Sequence, residues 1–269
     1  MKLLNGSELA GFIKERHAHQ VRALRAQKIF PKLAIVQAKP DPVIDIYIRL
    51  KQKYGADIGV DVDVHKVEQK EVPELLNKLS NDPGVHGIIV QLPLADPAQT
   101  DEIINMVAPA KDVDSLGKDS KFDPATPMAI LWLLAGYGVE LKGKQILLIG
   151  RGKLVGAPLE RMLKNSGQDV QVVGRESKDL AEHTKHADII VTATGSPAIL
   201  NANMIKKGAV VVDAGVASED GKPVGDLAPD VYDRDDLTIT PAKGGVGPLT
   251  VCALFENVIR AATKGQIDA

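Results

Sequence analysis

Midway along the chain, residues 145–158 read QILLIGRGKLVGAP: an apolar run, Ile146 to Ile149, ends at Gly150 in a glycine-bearing basic loop, and an amphipathic helical pattern follows. Strand, tight loop and helix in that order form the junction with which parallel α/β proteins hold a phosphate on the first turn of a helix. The pattern restarts downstream in DVQVVG, DIIVTATG and GAVVVDAG, each followed by a helix or a glycine turn. Strands alternating with helices require right-handed crossovers and a mainly parallel sheet. Because the junction lies mid-chain, about half of the 269 residues precede it and must do something else. A nucleotide domain behind a separate leading domain implies a cofactor-using enzyme with its substrate bound between the two.

The leading half has its own α/β rhythm. Ser7 is expected to cap a helix through GFIKERHAHQVRALRAQ, where apolar residues recur at helical spacing. Pro31 precedes a buried strand, LAIVQA; Pro40 and Pro42 bound a loop; and Ile46 to Tyr54 reads as a helix. DVDVHKV alternates as a second strand, VPELLNKLSND is a helix with proline at its start, and GIIVQLPL is a third strand running into a loop. The polar stretch AKDVDSLGKDSKFDPATP breaks the periodicity and is the expected inter-domain connection, after which MAILWLLAGYG forms a helix. The last segment, TVCALFENVIRAATK, is a helix expected to pack back on the first domain. The expected architecture is therefore α/β with two domains. Residues 1–120 form an N-terminal α/β substrate and catalytic domain joined by helix 250–269, and residues 121–249 form a Rossmann-type dinucleotide-binding domain.

Composition excludes other classes. The formal net charge of -2 gives no whole-chain attraction to nucleic acid or an anionic membrane. The single cysteine, Cys252, rules out an internal disulfide and fits a reducing cytoplasm. The opening MKLLNGSELAGF is too short an apolar run for a signal peptide, and no later stretch could span a bilayer. The expectation is a soluble cytoplasmic protein.

In the nucleotide loop, Gly150 and Gly156 let backbone approach a pyrophosphate, with Gly152 and Val155 in the same turn, while Arg151 places a guanidinium beside it. Such a glycine pattern alone is equally a tight βα turn; strand and helix on the required sides strengthen it. The strand DVQVVG ends in Gly174 and Arg175, so a cation stands where a carboxylate would hold an unphosphorylated ribose. That favours a 2′-phosphate, hence NADP over NAD, unless Arg175 simply points into solvent. Gly195 and Gly215, with their neighbours Thr194 and Val216, end apolar runs where the carboxyl edge of a parallel sheet leaves a crevice for ligand. PAKGGVGPLT packs three glycines and two prolines into ten positions, around Gly245 and Pro248. Its backbone could approach a flat ring, or the loop could be only a stiff connector.

Upstream, Tyr47 and Lys51 are four apart on a predicted helix and share one face, which by itself is as consistent with a solvated stripe. Gln91 ends the third strand at the ligand-binding edge, or else satisfies a loop amide. Asp112 and Asp114 flank Val113, where turn chemistry is the plainer explanation. His183 and His186 read as a solvated helix face rather than a metal pair, and His17 and His19 fall in a charged, exposed-looking segment. Cys252 reads as a small buried apolar residue and Trp132 as part of a core stripe.

Together these segments resemble the bifunctional methylenetetrahydrofolate dehydrogenase/methenyltetrahydrofolate cyclohydrolase family, from about Leu33 to Asn257. The resemblance rests on Y-x-x-x-K at Tyr47 to Lys51, VQLPL at Val90 to Leu94, KDVD at Lys111 to Asp114, P-x-T-P at Pro124 to Pro127, GR-x-x-x-VG-x-P at Gly150 to Pro158, and GGVGPLT at Gly244 to Thr250. It implies hydride transfer from methylenetetrahydrofolate to NADP, then hydrolysis to formyltetrahydrofolate, a one-carbon donor of the kind purine biosynthesis consumes. It implies Lys51 as general acid/base, Tyr47 stacked on the aminobenzoyl ring, Gln91 positioning the lysine and Asp114 holding the pterin, with Val90, Leu92, Pro93, Gly245 and Pro248 also at the substrate. It further implies a homodimer; no metal is expected, since the histidines lack cysteine or carboxylate partners in the pattern. The chain departs from the family at Lys39 and Ile44, where glycine and serine are usual, at Ser115 for glycine, Ala125 for cysteine, Gly152 for serine, and Ala242 and Lys243 for valine and proline. The family's serine supports the lysine network, and Ile44 cannot.

Two other functions stay open on these residues: a dehydrogenase for another small substrate with an altered pocket, motivated by Lys39, Ile44 and Ser115, and a non-catalytic nucleotide-binding interaction protein. Retention of Lys51 argues against the last, since a binding module has no need of a proton-transferring lysine.

Overall fold

Both runs of alternating strands and helices form parallel sheets in the computed structural model, which describes residues 1–174, 176, 177, 179–219 and 222–264. In chain order the elements begin β1 (Lys2–Leu3), α1 (Gly6–Ala26), β2 (Lys32–Gln37), α2 (Pro42–Ile58), β3 (Asp61–Lys66), α3 (Val72–Asn81), β4 (Gly87–Gln91) and α4 (Thr100–Ile104). After a long connection come α5 (Ala125–Gly136), β5 (Ile146–Ile149), α6 (Gly156–Asn165), β6 (Val170–Val173), α7 (Leu180–His186), β7 (Ile189–Thr192) and β8 (Val210–Asp213). The chain ends with β9 (Ala217–Glu219), β10 (Lys222–Val224), β11 (Thr238–Ile239) and α8 (Val246–Lys264).

The chain divides into two compact units. One comprises Gly11–Ala125 and the segment from Val251 on; the other comprises Met1–Ala10 and Thr126–Thr250.

The first unit carries a three-stranded parallel sheet in the order β3-β2-β4. Central β2 is buried on both faces, as its run Leu33, Ala34, Ile35, Val36 requires, while edge strand β3 alternates. The strand order reverses between β2 and β4, where Gln37 pairs with Gln91, and the carboxyl ends of strands at such a reversal leave a crevice. The helix expected at Ile46 to Tyr54 is longer at both ends. Pro42, expected in a loop, begins it, because a first-turn N–H has no partner to lose. Within this unit, α8 is pinned by Asn257, whose buried Nδ2 donates to the carbonyls of Val113 and Asp123, each at 2.9 Å. Removing such a side chain strands two carbonyls, a cost of about 1–3 kcal/mol each where they are buried.

The second unit carries a six-stranded parallel sheet, among the described residues, in the order β1-β11-β8-β7-β5-β6, and a separate antiparallel hairpin of β9 and β10. The order reverses at β5, which pairs with β6 on one side and β7 on the other. Residues 1–10, expected with the leading domain, belong to this unit because β1 pairs in parallel with β11 and extends its sheet. Asn5, not Ser7, caps α1: its side-chain oxygen accepts from the backbone N–H of Glu8 at 3.2 Å, and Ser7 lies inside the first turn, its N–H donating to the Gly244 carbonyl. On α5, Leu133 and Leu134 are buried, whereas Trp132, expected in the core stripe, is half-buried. No helix among the described residues is long and apolar enough to cross a membrane.

Candidate active site

In the three-stranded unit, α2 brings Lys51 to the carboxyl end of β4. Its Nζ donates to Oε1 of Gln91 at 2.8 Å, and Nε2 of Gln91 donates to the Leu92 carbonyl at 3.2 Å, which fixes the amide with its oxygen toward the lysine. The peptide bond from Leu92 to Pro93 is cis. Burial pushes the Lys51 amine below the ordinary lysine value, and the negative charge of Asp114 opposes that shift. Burial raises the Asp114 carboxyl, with the positive charge of Lys51 acting against it. Lys51, Gln91 and Asp114, far apart in sequence, thus share one desolvated neighbourhood. Tyr47, one turn before Lys51 on the same helix, is 37% exposed, leaving a ring available for stacking.

The two aspartates of the connector part company. Asp112 does turn chemistry: its carboxylate accepts from the N–H groups of Gly117 at 2.8 Å and Leu116 at 3.4 Å. Burial pushes its pKa up to about 6 against those donors. Ser115, where glycine is usual in the family, takes the left-handed conformation at φ 57, and its hydroxyl donates to the Phe122 carbonyl at 2.7 Å. That bond supports a backbone shape glycine would adopt without help. Ile44 is buried in the first half of α2 and brings no polar group to Lys51. Val90, expected at the substrate, lies in β4 with its side chain buried in the core with Leu76 and Ile88, away from any ligand at the strand's end. Leu92 is half-buried and Pro93 exposed.

In the six-stranded unit, the loop after β5 meets a pyrophosphate's requirements through backbone. Gly150 sits at φ 98, and a side chain there would come within 2.6 Å of the Ala193 carbonyl oxygen. At Gly156, the first residue of α6, an added carbon would run into the Gly150 carbonyl oxygen, so helix and loop touch only because residue 156 is glycine. Gly152 faces open space. Val155 in the cap position offers the first turn of α6 no side-chain acceptor, which suits a bound anion. Arg151 is held by Glu160, its Nε donating at 2.8 Å, and Glu160 also accepts from Lys164 at 2.7 Å. Gly195, at φ 62, follows β7 and Thr194; Gly215 and Val216 follow β8, with Val216 62% exposed. These turns lie at the carboxyl edge beside the strand-order reversal, and their backbone cradle fits a dinucleotide. Arg175, expected at the ribose 2′-phosphate, lies outside the described residues.

Gly245 makes a close approach, but to protein: a carbon added at Gly6 would strike its carbonyl oxygen, and Thr240 packs on its other side. Pro248, half-buried, lies in the first turn of α8.

Among the described residues no three histidine, cysteine, aspartate or glutamate side chains gather as a metal site, and His183 instead bonds Gln171 at 2.9 Å. Cys252 is buried, and burial raises its thiol. His17, expected to be exposed, is fully buried: Nδ1 meets the Tyr54 hydroxyl and Nε2 the Glu256 carboxylate, both at 2.9 Å. The signal was present in the spacing, since Ala10, Ile13, His17, Val21 and Leu24 form one helical face.

Known proteins match the chain in two successive stretches. Residues 4–114 match the profile described as the tetrahydrofolate dehydrogenase/cyclohydrolase catalytic domain, and residues 124–266 that of the NAD(P)-binding domain of the same family. The bifunctional protein FolD of Nitratiruptor sp. is 36% identical, covering 98% of this chain and 99% of its own. The crystal structure of the bifunctional enzyme FolD from Campylobacter jejuni superposes with a TM-score of 0.92 at 35% identity, over 98% of this chain and 99% of that one. The Trypanosoma brucei methylenetetrahydrofolate dehydrogenase-cyclohydrolase, solved with NADP and inhibitor, gives a TM-score of 0.92 at 29% identity, covering 99% and 98%.

Proposed function

Because this chain belongs to the tetrahydrofolate dehydrogenase/cyclohydrolase family, we propose that it oxidises methylenetetrahydrofolate to methenyltetrahydrofolate with NADP and hydrolyses the product to formyltetrahydrofolate. The observation that carries the reading is the desolvated Lys51 amine bonded to Gln91 beside Asp114.

A free lysine has a pKa of about 10.4 and is almost always charged at neutral pH. Desolvation favours the neutral amine, and a cationic methenyl substrate beside it would favour that form further. Neutral Lys51 accepts a proton from the water that attacks the methenyl carbon, then returns it to the ring nitrogen whose bond to that carbon breaks, while the remaining hydroxyl proton passes to solvent as the formyl carbonyl forms. Gln91 holds the amine in place through its Oε1. Asp114 accepts from the donor edge of the pterin, and Tyr47 stacks on the aminobenzoyl ring. Leu92, Pro93, Gly245, Pro248 and the backbone of Val90 complete the proposed substrate contacts.

Bound NADP supplies the hydride acceptor, and hydride transfer needs no acid or base, only close, dry approach of the two carbons. Gly150, Gly152, Val155 and Gly156 would present backbone to the pyrophosphate, Arg151 a guanidinium, and Thr194, Gly195, Gly215 and Val216 the turns beyond it. Arg175 would meet the 2′-phosphate. A homodimer and a cytoplasmic location are further parts of the proposal; sedimentation checks the first.

The test supplies purified protein with methylenetetrahydrofolate and NADP, and follows reduced nicotinamide and the methenyl chromophore at separate wavelengths. Both signals should appear, with the methenyl signal decaying as hydrolysis proceeds. Repeating it with NAD, on wild type and Arg175→Ala, tests cofactor choice. No reduction with either nucleotide would refute the reading.

A further inference from the structure

Two carboxylates behind the turns at the carboxyl edge of the six-stranded sheet have no part in the chemistry above. Asp213 ends β8, and Asp226, fully buried, follows the hairpin strand β10. Asp226 accepts from the backbone N–H of Thr194 at 2.8 Å through one oxygen and from that of Ser196 at 2.9 Å through the other, so it grips the chain on both sides of Gly195. Asp213 accepts from the N–H groups of Gly215 at 3.0 Å, Asp226 at 3.0 Å and Leu227 at 3.2 Å, and from the Thr192 hydroxyl at 3.3 Å. Its own N–H donates to the Thr240 hydroxyl at 2.9 Å. One run of bonds therefore leads from the core of the sheet, through both acids, to the turns after β7 and β8.

The glycines of these turns leave the space the acids use. A side chain at Gly215 would occupy the place of the Asp226 carboxylate, and one at Gly225 that of Asp213. At Gly195 a side chain would stand 3.1 Å from the Val216 carbonyl oxygen, so the two turns also abut each other. Burying two acids close together is costly, and burial raises the Asp213 carboxyl, with the charge of Asp226 adding to the shift. Closing a turn does not demand such an arrangement, since a neutral side chain can accept from backbone. A carboxylate with both oxygens engaged holds two N–H groups at once and fixes the turn's geometry more tightly.

We propose that Asp226 is a positioning residue for the nicotinamide nucleotide, acting through the Thr194–Ser196 turn it holds and packed against Gly215, whose N–H its neighbour Asp213 holds. The proposal rests on the reading of those turns as cofactor contacts. Asp226→Asn keeps one acceptor oxygen and Asp226→Ala keeps none. Calorimetric titration of NADP into folate-free enzyme should show Kd weakened ~10-fold in the first and ~100-fold in the second, on the scale of one and two lost bonds to a charged group. KM for NADP should rise in the same order. KM for the folate and the nucleotide-free hydrolysis of methenyltetrahydrofolate should stay within about twofold of wild type, since neither uses these turns.

NADP affinity unchanged in both variants, with wild type binding normally, would overturn the positioning role alone. Hydrolysis falling in parallel with NADP affinity would also overturn it, by showing a general loss of fold. Wild type that binds no NADP would overturn both this proposal and the cofactor reading beneath it. Should the alanine variant fail to fold, the asparagine variant decides by the same measurements.

Discussion

The three-stranded unit gathers reactive side chains at its proposed site, whereas the six-stranded unit offers bare backbone at its own. In the first, an amine, an amide and a carboxylate converge on one desolvated spot, and their chemical identity is what matters. In the second, Gly150, Gly156, Gly195 and Gly215 matter for the carbon they lack. The two kinds of site should fail differently: one to changes of functional group at constant shape, the other to added bulk at constant chemistry.

The largest effect is expected from Lys51→Met, which keeps length and removes the proton carrier. Methenyl hydrolysis should fall by about 10²–10⁴-fold, while reduction of NADP falls far less. Equal loss of both activities would erase the distinction between proton chemistry and hydride transfer. Next is Gly150→Ala, which demands a left-handed alanine, at about 1–2 kcal/mol, and drives its methyl toward the Ala193 carbonyl. NADP affinity should drop by about tenfold or more, and nucleotide-free hydrolysis should persist. Titration of NADP into the variant checks the first, and decay of the methenyl chromophore the second.

The smallest effect is a shift in pH dependence that sharpens the account of the side-chain site. Lys51 acts as base only when neutral, so hydrolysis should weaken as pH falls through its pKa, which burial sets below 10.5. The charge of Asp114 raises that pKa, and Asp114→Asn should therefore move the acid limb to lower pH. A limb that moved upward would mean that Asp114 does not act on the lysine through its charge.

What the sequence made legible follows the same contrast. The apolar strands LAIVQ, ILLI and VVVD stand out because each is buried on both faces. Two-residue β1 and β11 escape notice because they are too short to show a period, so the pairing that joins the first residues to the six-stranded sheet has no sequence signal. Sequence alone treats Asp112 and Asp114 alike; only the fold shows one accepting from Leu116 and Gly117 and the other facing Lys51. His17 was hidden by its charged neighbours, although its spacing with Val21 and Leu24 marks a buried face. Asp213 and Asp226 carried no motif, because their work is done on backbone N–H groups that every residue type supplies.

The chain passes from one unit to the other three times, after Ala10, Ala125 and Thr250. On the ribosome, β2, β3 and β4 are made before the six-stranded unit's central strands, but Phe255 and Asn257, which pack on that same unit, emerge after them. The unit begun at Gly11 is thus completed only after Thr250, the last residue of the other unit, has been made. A transcript cut short before α8 would yield a product with both sheets encoded and its leading layer still open, a ready target for cellular proteases.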